Sequence, residues 1–76
     1  MIMMKVHELP DHILKIGVDY KITPLKLQRL LWYVKVWGIV AGVPLYEGEF
    51  HRERNGPINL EVYEKYKSFR NNKIVV

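Results

Sequence analysis

The 76-residue chain has no cysteine, so neither a disulfide nor a thiolate metal centre is open to it. Its five glycines and four prolines fall singly between periodic segments, which excludes a flexible linker and a phosphate-cradling loop of the type G-x-x-x-x-G-K-[ST]. Ser68 is its only serine and stands in a helical pattern, without the strand-to-helix elbow that exposes a hydrolase nucleophile. No apolar run approaches the ~20 residues that span a bilayer, and MIMMK lacks the basic start, apolar middle and cleavage site of a signal peptide. No membrane association is expected, and the cytoplasm is the expected compartment. Blocks of like charge are missing as well. Twelve basic and eight acidic residues intersperse from Lys5 to Lys73, so the net charge of +4 reads as a solvated surface, and nucleic acid is not an expected partner.

Metal and acid–base constellations are equally thin. His7 and His12 in HELPDH stand five apart with Pro10 between them, whereas a zinc helix needs two histidines four apart on one face. His51 and two aspartates complete the ligand supply, so no metal and no cofactor are expected. Glu47, Glu49 and Glu53 neighbour Arg52 and Arg54, a pattern of surface ion pairing rather than of paired catalytic carboxylates.

What is present is a globular composition, 49% apolar and 26% charged. A domain of this size buries only about 60% of the surface its unfolded chain exposes, which favours help from a partner or a second copy. Leu9, Ile13, Ile16 and Tyr20 recur at helical spacing and predict a first helix over about residues 10–19, with Pro10 in its first turn. A second helix is predicted over residues 24–41. Thr23 caps it, Pro24 presets its first turn, Ile22 staples onto Leu27, and Gly42 with Pro44 ends it. At 100° per residue, Leu27, Leu30, Leu31, Val34, Trp37 and Ala41 line one face of this helix, and Leu25, Trp32, Val36 and Ile39 the opposite one. Gln28 and Lys35 separate the faces along one edge, Lys26 and Arg29 along the other. The helix is therefore central in the fold or lends its second face to another chain.

LYEGEFHRER after Pro44 reads as an extended loop or brief strand, and Arg54-Asn55-Gly56-Pro57 as a turn. Asn59 caps a third predicted helix, which packs Ile58, Val62, Tyr66 and Phe69 inward and carries a favourable Glu61–Lys65 pair. The apolar ends MIMMKV and NKIVV could pair as two short strands, although a short apolar run alone does not separate strand from helix. The expected fold is mainly α: one domain over residues 1–76 with three helices around a central hydrophobic helix and short strands at the termini.

Three blocks in register also resemble a known family. KLQRLLWYVKVW from Lys26 to Trp37, then GVPLYEGEF, then NGPINLEVYEKYK look like the KLQKLLYYA-like helix, G-x-PLF turn and GPV-x-x-x-VY-x-x-Y segment of the Panacea domain, a family that includes phage-associated proteins and antitoxins. The matching residues are Lys26, Leu27, Gln28, Leu30, Leu31, Tyr33 and Trp37, then Gly42, Pro44 and Leu45, then Gly56, Pro57, Val62, Tyr63 and Tyr66. Glu53 and Leu60 stand where the family usually has an aromatic and a proline, and the chain ends soon after the third block, as a reduced or truncated version would. The resemblance implies a non-enzymatic protein that neutralises a cognate toxin by binding it, and, by analogy with one member, delivery of the toxin to an ATP-dependent protease. On this reading Trp32, Tyr33, Val36, Ile39 and Tyr63 are the expected partner contacts, while Trp37 and Tyr66 are expected in the core. Two other readings stay open. One is a small basic DNA-binding regulator, against which the second helix lacks a polar face for reading bases. The other is a structural homo-oligomer of a phage or mobile element.

Overall fold

The ends of the central helix are set by its own neighbours in sequence. Thr23 is extended and its hydroxyl accepts from the Lys26 N–H, Pro24 opens the first turn, and Gly42 takes a left-handed φ of 72° while its N–H returns to Gly38 and Ile39. The computed structural model describes residues 3–75, which form α1 (Glu8–Ile16), α2 (Pro24–Ala41) and α3 (Leu60–Tyr66), the last continued by a 3-10 turn over Lys67–Phe69. The protein is a small, mainly α fold.

α1 starts and stops earlier than its apolar pattern predicts. Lys5 N–H donates to the Glu8 carboxylate at 3.1 Å and starts the helix there, which leaves Pro10 in a first turn whose N–H groups lack helical acceptors anyway. The helix ends at Ile16, and Tyr20 N–H closes a turn onto Gly17 C=O. Consequently the buried residues are Leu9, Pro10 and Leu14, with Ile13 half-buried, while Ile16 and Tyr20 are exposed at 69% and 71%.

The buried side of α2 also departs from the expected one. Leu27, Gln28, Leu31 and Gly38 are buried and Lys35 is half-buried, a stripe centred on the very edge that separates the two apolar faces. Relative to the predicted core face the helix is turned by about 70°. Leu27 and Leu31 stay inside, but Trp37 is 71% exposed, Ala41 is exposed, and Leu30 lies at the surface, so the expectation of a core Trp37 is corrected. The physical reason is polar. Gln28 Nε2 donates to Asn59 C=O at 3.0 Å and its Oε1 accepts from Asn59 N–H at 2.8 Å, while Lys35 Nζ donates to Tyr46 C=O at 3.0 Å. A buried polar group that is fully paired costs little, so the edge bearing these two side chains turns inward.

Around this stripe pack Leu9, Leu14, Ile22, Tyr46, Val62, Tyr66 and Ile74. Asn59 caps α3 as expected, accepting the Val62 N–H at 3.0 Å, and the preceding turn closes a two-residue antiparallel bridge between His51 and Ile58. Gly56 in that turn has a φ of 106°, a region L side chains rarely enter, which accounts for the glycine. Tyr66 is in the core as predicted, with its hydroxyl donating to Asp11 at 3.2 Å. The Glu61–Lys65 pair does not form: Lys65 reaches Asp11 on α1 at 3.7 Å, and Glu61 lies 3.6 Å from His7. Nor do the termini pair with each other among the described residues. Met4 forms a parallel bridge with Tyr46, and Ile74 N–H donates to Ile22 C=O, because the middle of the chain offers both ends free backbone groups nearer at hand. Met1, Ile2 and Val76 of the expected strands lie outside the described residues.

Candidate partner-binding surface

The rotation of α2 divides its two apolar faces between different fates. On one side Trp32 is half-buried and meets the Phe50 ring edge-on at 5.2 Å, and Phe50 in turn meets Tyr46 at 6.2 Å. The segment after Pro44 therefore lies against this face, and Val36 is half-buried with it. Of the expected partner contacts, Trp32 thus packs on Phe50 and Val36 is half-buried.

The other apolar face has no such cover. Between α1 and α2 runs an open groove with two lobes that share Ile13 and Leu30. The first, ≈ 540 Å³, is lined by Ile13, Ile16, Gly17, Tyr20 and Ile22 from α1 and its following turn, and by Leu30 with Lys21, Lys26 and Arg29. The second, ≈ 480 Å³, is lined by Ile13, Leu30, Tyr33, Val34 and Trp37. Helical spacing explains the second lobe directly: Leu30, Tyr33 and Trp37 follow one another at three and four residues and so stand on one strip of α2. Ile16 and Tyr20 enter because α1 stops short and releases the end of its apolar pattern to the surface.

Of the five expected contacts, only Tyr33 belongs to this groove. Ile39 is 68% exposed but lines a different hollow with Gly42, Val43 and Leu45, and Tyr63 lines a third with Arg54, Ile58 and Leu60. The structure thus does not bring Trp32, Tyr33, Val36, Ile39 and Tyr63 into one patch. Ile16, Tyr20, Leu30 and Trp37 line the groove although each sits on a face that periodicity assigns to the core. The available signal was the shortness of α1, with Gly17 marking its end.

The positions singled out in the three sequence blocks are mostly structural. Gln28 clamps Asn59, Gly56 turns the chain, Pro57 leads into the bridge, and Leu27, Leu31, Val62 and Tyr66 are buried. Lys26 is exposed and donates to Lys21 C=O at 3.3 Å, and Pro44 is exposed beyond the end of α2. Burial pushes the Tyr46 hydroxyl far above its ordinary pKa, with the Glu61 carboxylate adding to the effect, and its proton is held by Val6 C=O at 2.7 Å. Burial likewise raises Tyr66; Lys65 opposes the rise and Asp11 adds to it. Both hydroxyls are structural donors.

Among the described residues no group of three side chains is placed to hold a metal, and no helix is long and apolar enough to cross a membrane. Comparison with protein-family models, curated proteins and solved structures finds no match to this chain.

Proposed function

We propose that the chain is a non-enzymatic protein-interaction domain of the antitoxin type, which binds and neutralises a toxin protein in the cytoplasm through the groove between α1 and α2. One observation carries this reading: two open apolar hollows, one lined by Ile16 and Tyr20 and the other by Tyr33 and Trp37, share Ile13 and Leu30 as lining residues. Contiguous exposed apolar patches on small proteins usually mark interaction sites, and exposed Trp and Tyr are typical anchors of such sites. The resemblance of the three sequence blocks to the Panacea domain supplies the toxin as the kind of partner. The groove takes over the role first expected of the Trp32 side.

The test is genetic and then physical. The reading frame adjacent to this one is expressed alone and together with this chain, and the proposal expects its product to arrest growth alone and to co-purify with the chain when growth is restored. Trp37→Ala, at a position without core contacts, is expected to abolish the rescue while leaving the circular dichroism spectrum intact. Absence of both rescue and complex would overturn the antitoxin reading; full rescue by Trp37→Ala would remove the groove from it.

A further inference from the structure

The groove is not only apolar; its charge is one-sided. Lys21, Lys26 and Arg29 line the first lobe and not the second, all exposed, and no Asp or Glu lines either lobe. None of the three makes an ion pair among the described residues. Asp19, the acid nearest to them in the chain, lies in the turn before them and does not line the groove. α2 begins at the same place without an acidic residue in its first turn, so its partial positive charge adds to the three cations. The second lobe, by contrast, is lined by Ile13, Leu30, Tyr33, Val34 and Trp37 and carries no charge.

From this polarity we infer the chemistry of the occupant: an amphipathic helix of the partner that carries Asp or Glu at one end and apolar anchors along one face. This rests on the reading of the chain as a partner-binding domain and names what that partner presents. The floor along α2 from Lys26 to Trp37 extends roughly 16 Å at 1.5 Å per residue, which about three turns of helix match, with anchors at i, i+4 and i+7 or i+3 and i+7. The acidic turn lies over Lys21, Lys26 and Arg29, and the apolar anchors enter beside Leu30 and Trp37. A second copy does not fit these demands. Its groove offers the three cations no carboxylate, since neither lobe is lined by Asp or Glu. A lipid surface matches the sign of charge, but a recessed floor receives a protruding helix better than a flat bilayer.

The experiment uses the full chain and a displayed library of helix-favouring peptides of about 12 residues. Apolar residues are fixed on one face, and the flanking positions are randomised. Selection is expected to enrich Asp and Glu at one end of the bound peptides. The double variant Lys26→Glu with Arg29→Glu, both at exposed positions, is expected to reverse that enrichment toward Lys and Arg. Trp37→Ala is expected to weaken the best acidic peptide about tenfold or more in fluorescence anisotropy, the loss typical of an anchor residue. Enrichment of basic or uncharged ends by the unaltered chain, or an identical pool from the double variant, overturns the inference. So does co-sedimentation with phosphatidylglycerol vesicles, or a dimer in sedimentation velocity, that Trp37→Ala abolishes. If the adjacent gene product binds and Trp37→Ala breaks that complex while acidic peptides show no preference, the acidic chemistry fails and the interaction domain stands. If neither binds, both fail.

Discussion

Replacing Gln28 by leucine keeps the volume of a buried side chain and removes its two hydrogen bonds. The amide spans 31 positions of sequence to bond both the N–H and the C=O of Asn59, and both residues are almost fully enclosed, at 4% and 2% exposure. After substitution the buried Asn59 N–H has no partner, while the Asn59 C=O keeps only the Tyr63 N–H at 3.0 Å. The orphaned N–H costs about 1–3 kcal/mol and the second bond lost from the C=O about 0.5–1.5 kcal/mol, so a loss of about 2–4 kcal/mol is expected. A chain of this length has a total stability of roughly 4–11 kcal/mol, so the variant loses about half of it. The assay is urea denaturation followed by far-UV circular dichroism, which reads the helices without relying on the exposed Trp37. Gln28→Glu sharpens the test. Its carboxylate accepts from Asn59 N–H but repels Asn59 C=O, whereas the protonated acid donates to that carbonyl and restores both bonds. The folded state therefore holds this proton to higher pH than the unfolded chain, and the stability of the variant relative to the unaltered protein falls as pH rises above about 4.3. A Gln28→Leu midpoint within about 0.5 kcal/mol of the original, or a Gln28→Glu deficit that does not vary with pH, would refute the clamp.

Three further outcomes are expected. Gly38→Ala improves helix propensity by about 1 kcal/mol at an ordinary position, yet here the new methyl sits 2.7 Å from Val43 C=O and 3.1 Å from Leu45 N, so a net loss of about 1–3 kcal/mol is expected in the same urea titration. Trp37→Ala changes stability by less than about 0.5 kcal/mol, whereas Trp32→Ala costs at least about 1 kcal/mol through its lost contact with Phe50; equal effects in thermal melts would contradict the assignment of the two faces. The hydroxyls of Tyr46 and Tyr66 have raised pKa values in the folded state, so their contribution is complete below about pH 10 and is lost as pH climbs further. Absorbance at 295 nm is expected to include a late-ionising component that Tyr46→Phe removes, at a cost of about 1 kcal/mol for the bond to Val6.

Local features were legible in the sequence wherever both partners lie within a few residues. Thr23, Pro24 and Gly42 bound α2 at its observed ends, and Asn59 caps α3, because a cap involves only the adjacent turn. The same locality made the turn at Gly56 readable. Long-range choices were not. Lys65 prefers Asp11 across the fold to Glu61 one turn away, and Met4 pairs with Tyr46 rather than with the opposite terminus. Nothing in the short apolar ends distinguishes these partners beforehand, since a brief apolar run carries no register of its own.

The rotation of α2 has the same root and a more general cause. In a helix apolar on two sides, hydrophobicity leaves the rotation nearly undetermined, because either face buries a similar set of side chains. What decides is which polar edge can be satisfied inside. Lys26 and Arg29 form the charged edge, and two cations beside each other have no acids within the core to meet them. Gln28 and Lys35 find a free backbone N–H at the α3 cap residue Asn59, whose C=O takes a second donor beside Tyr63 N–H, and a free C=O at Tyr46. The polar pairing therefore turns the Gln28–Lys35 edge inward and sends the two apolar faces sideways. One comes to lie under Phe50; the other, bearing Leu30, Tyr33 and Trp37, has only the short α1 beside it and remains open. The cations rejected from the core end up at the rim of that opening. The apolar floor and the basic lining of the groove are thus two consequences of one choice, made by the pairing of a buried glutamine.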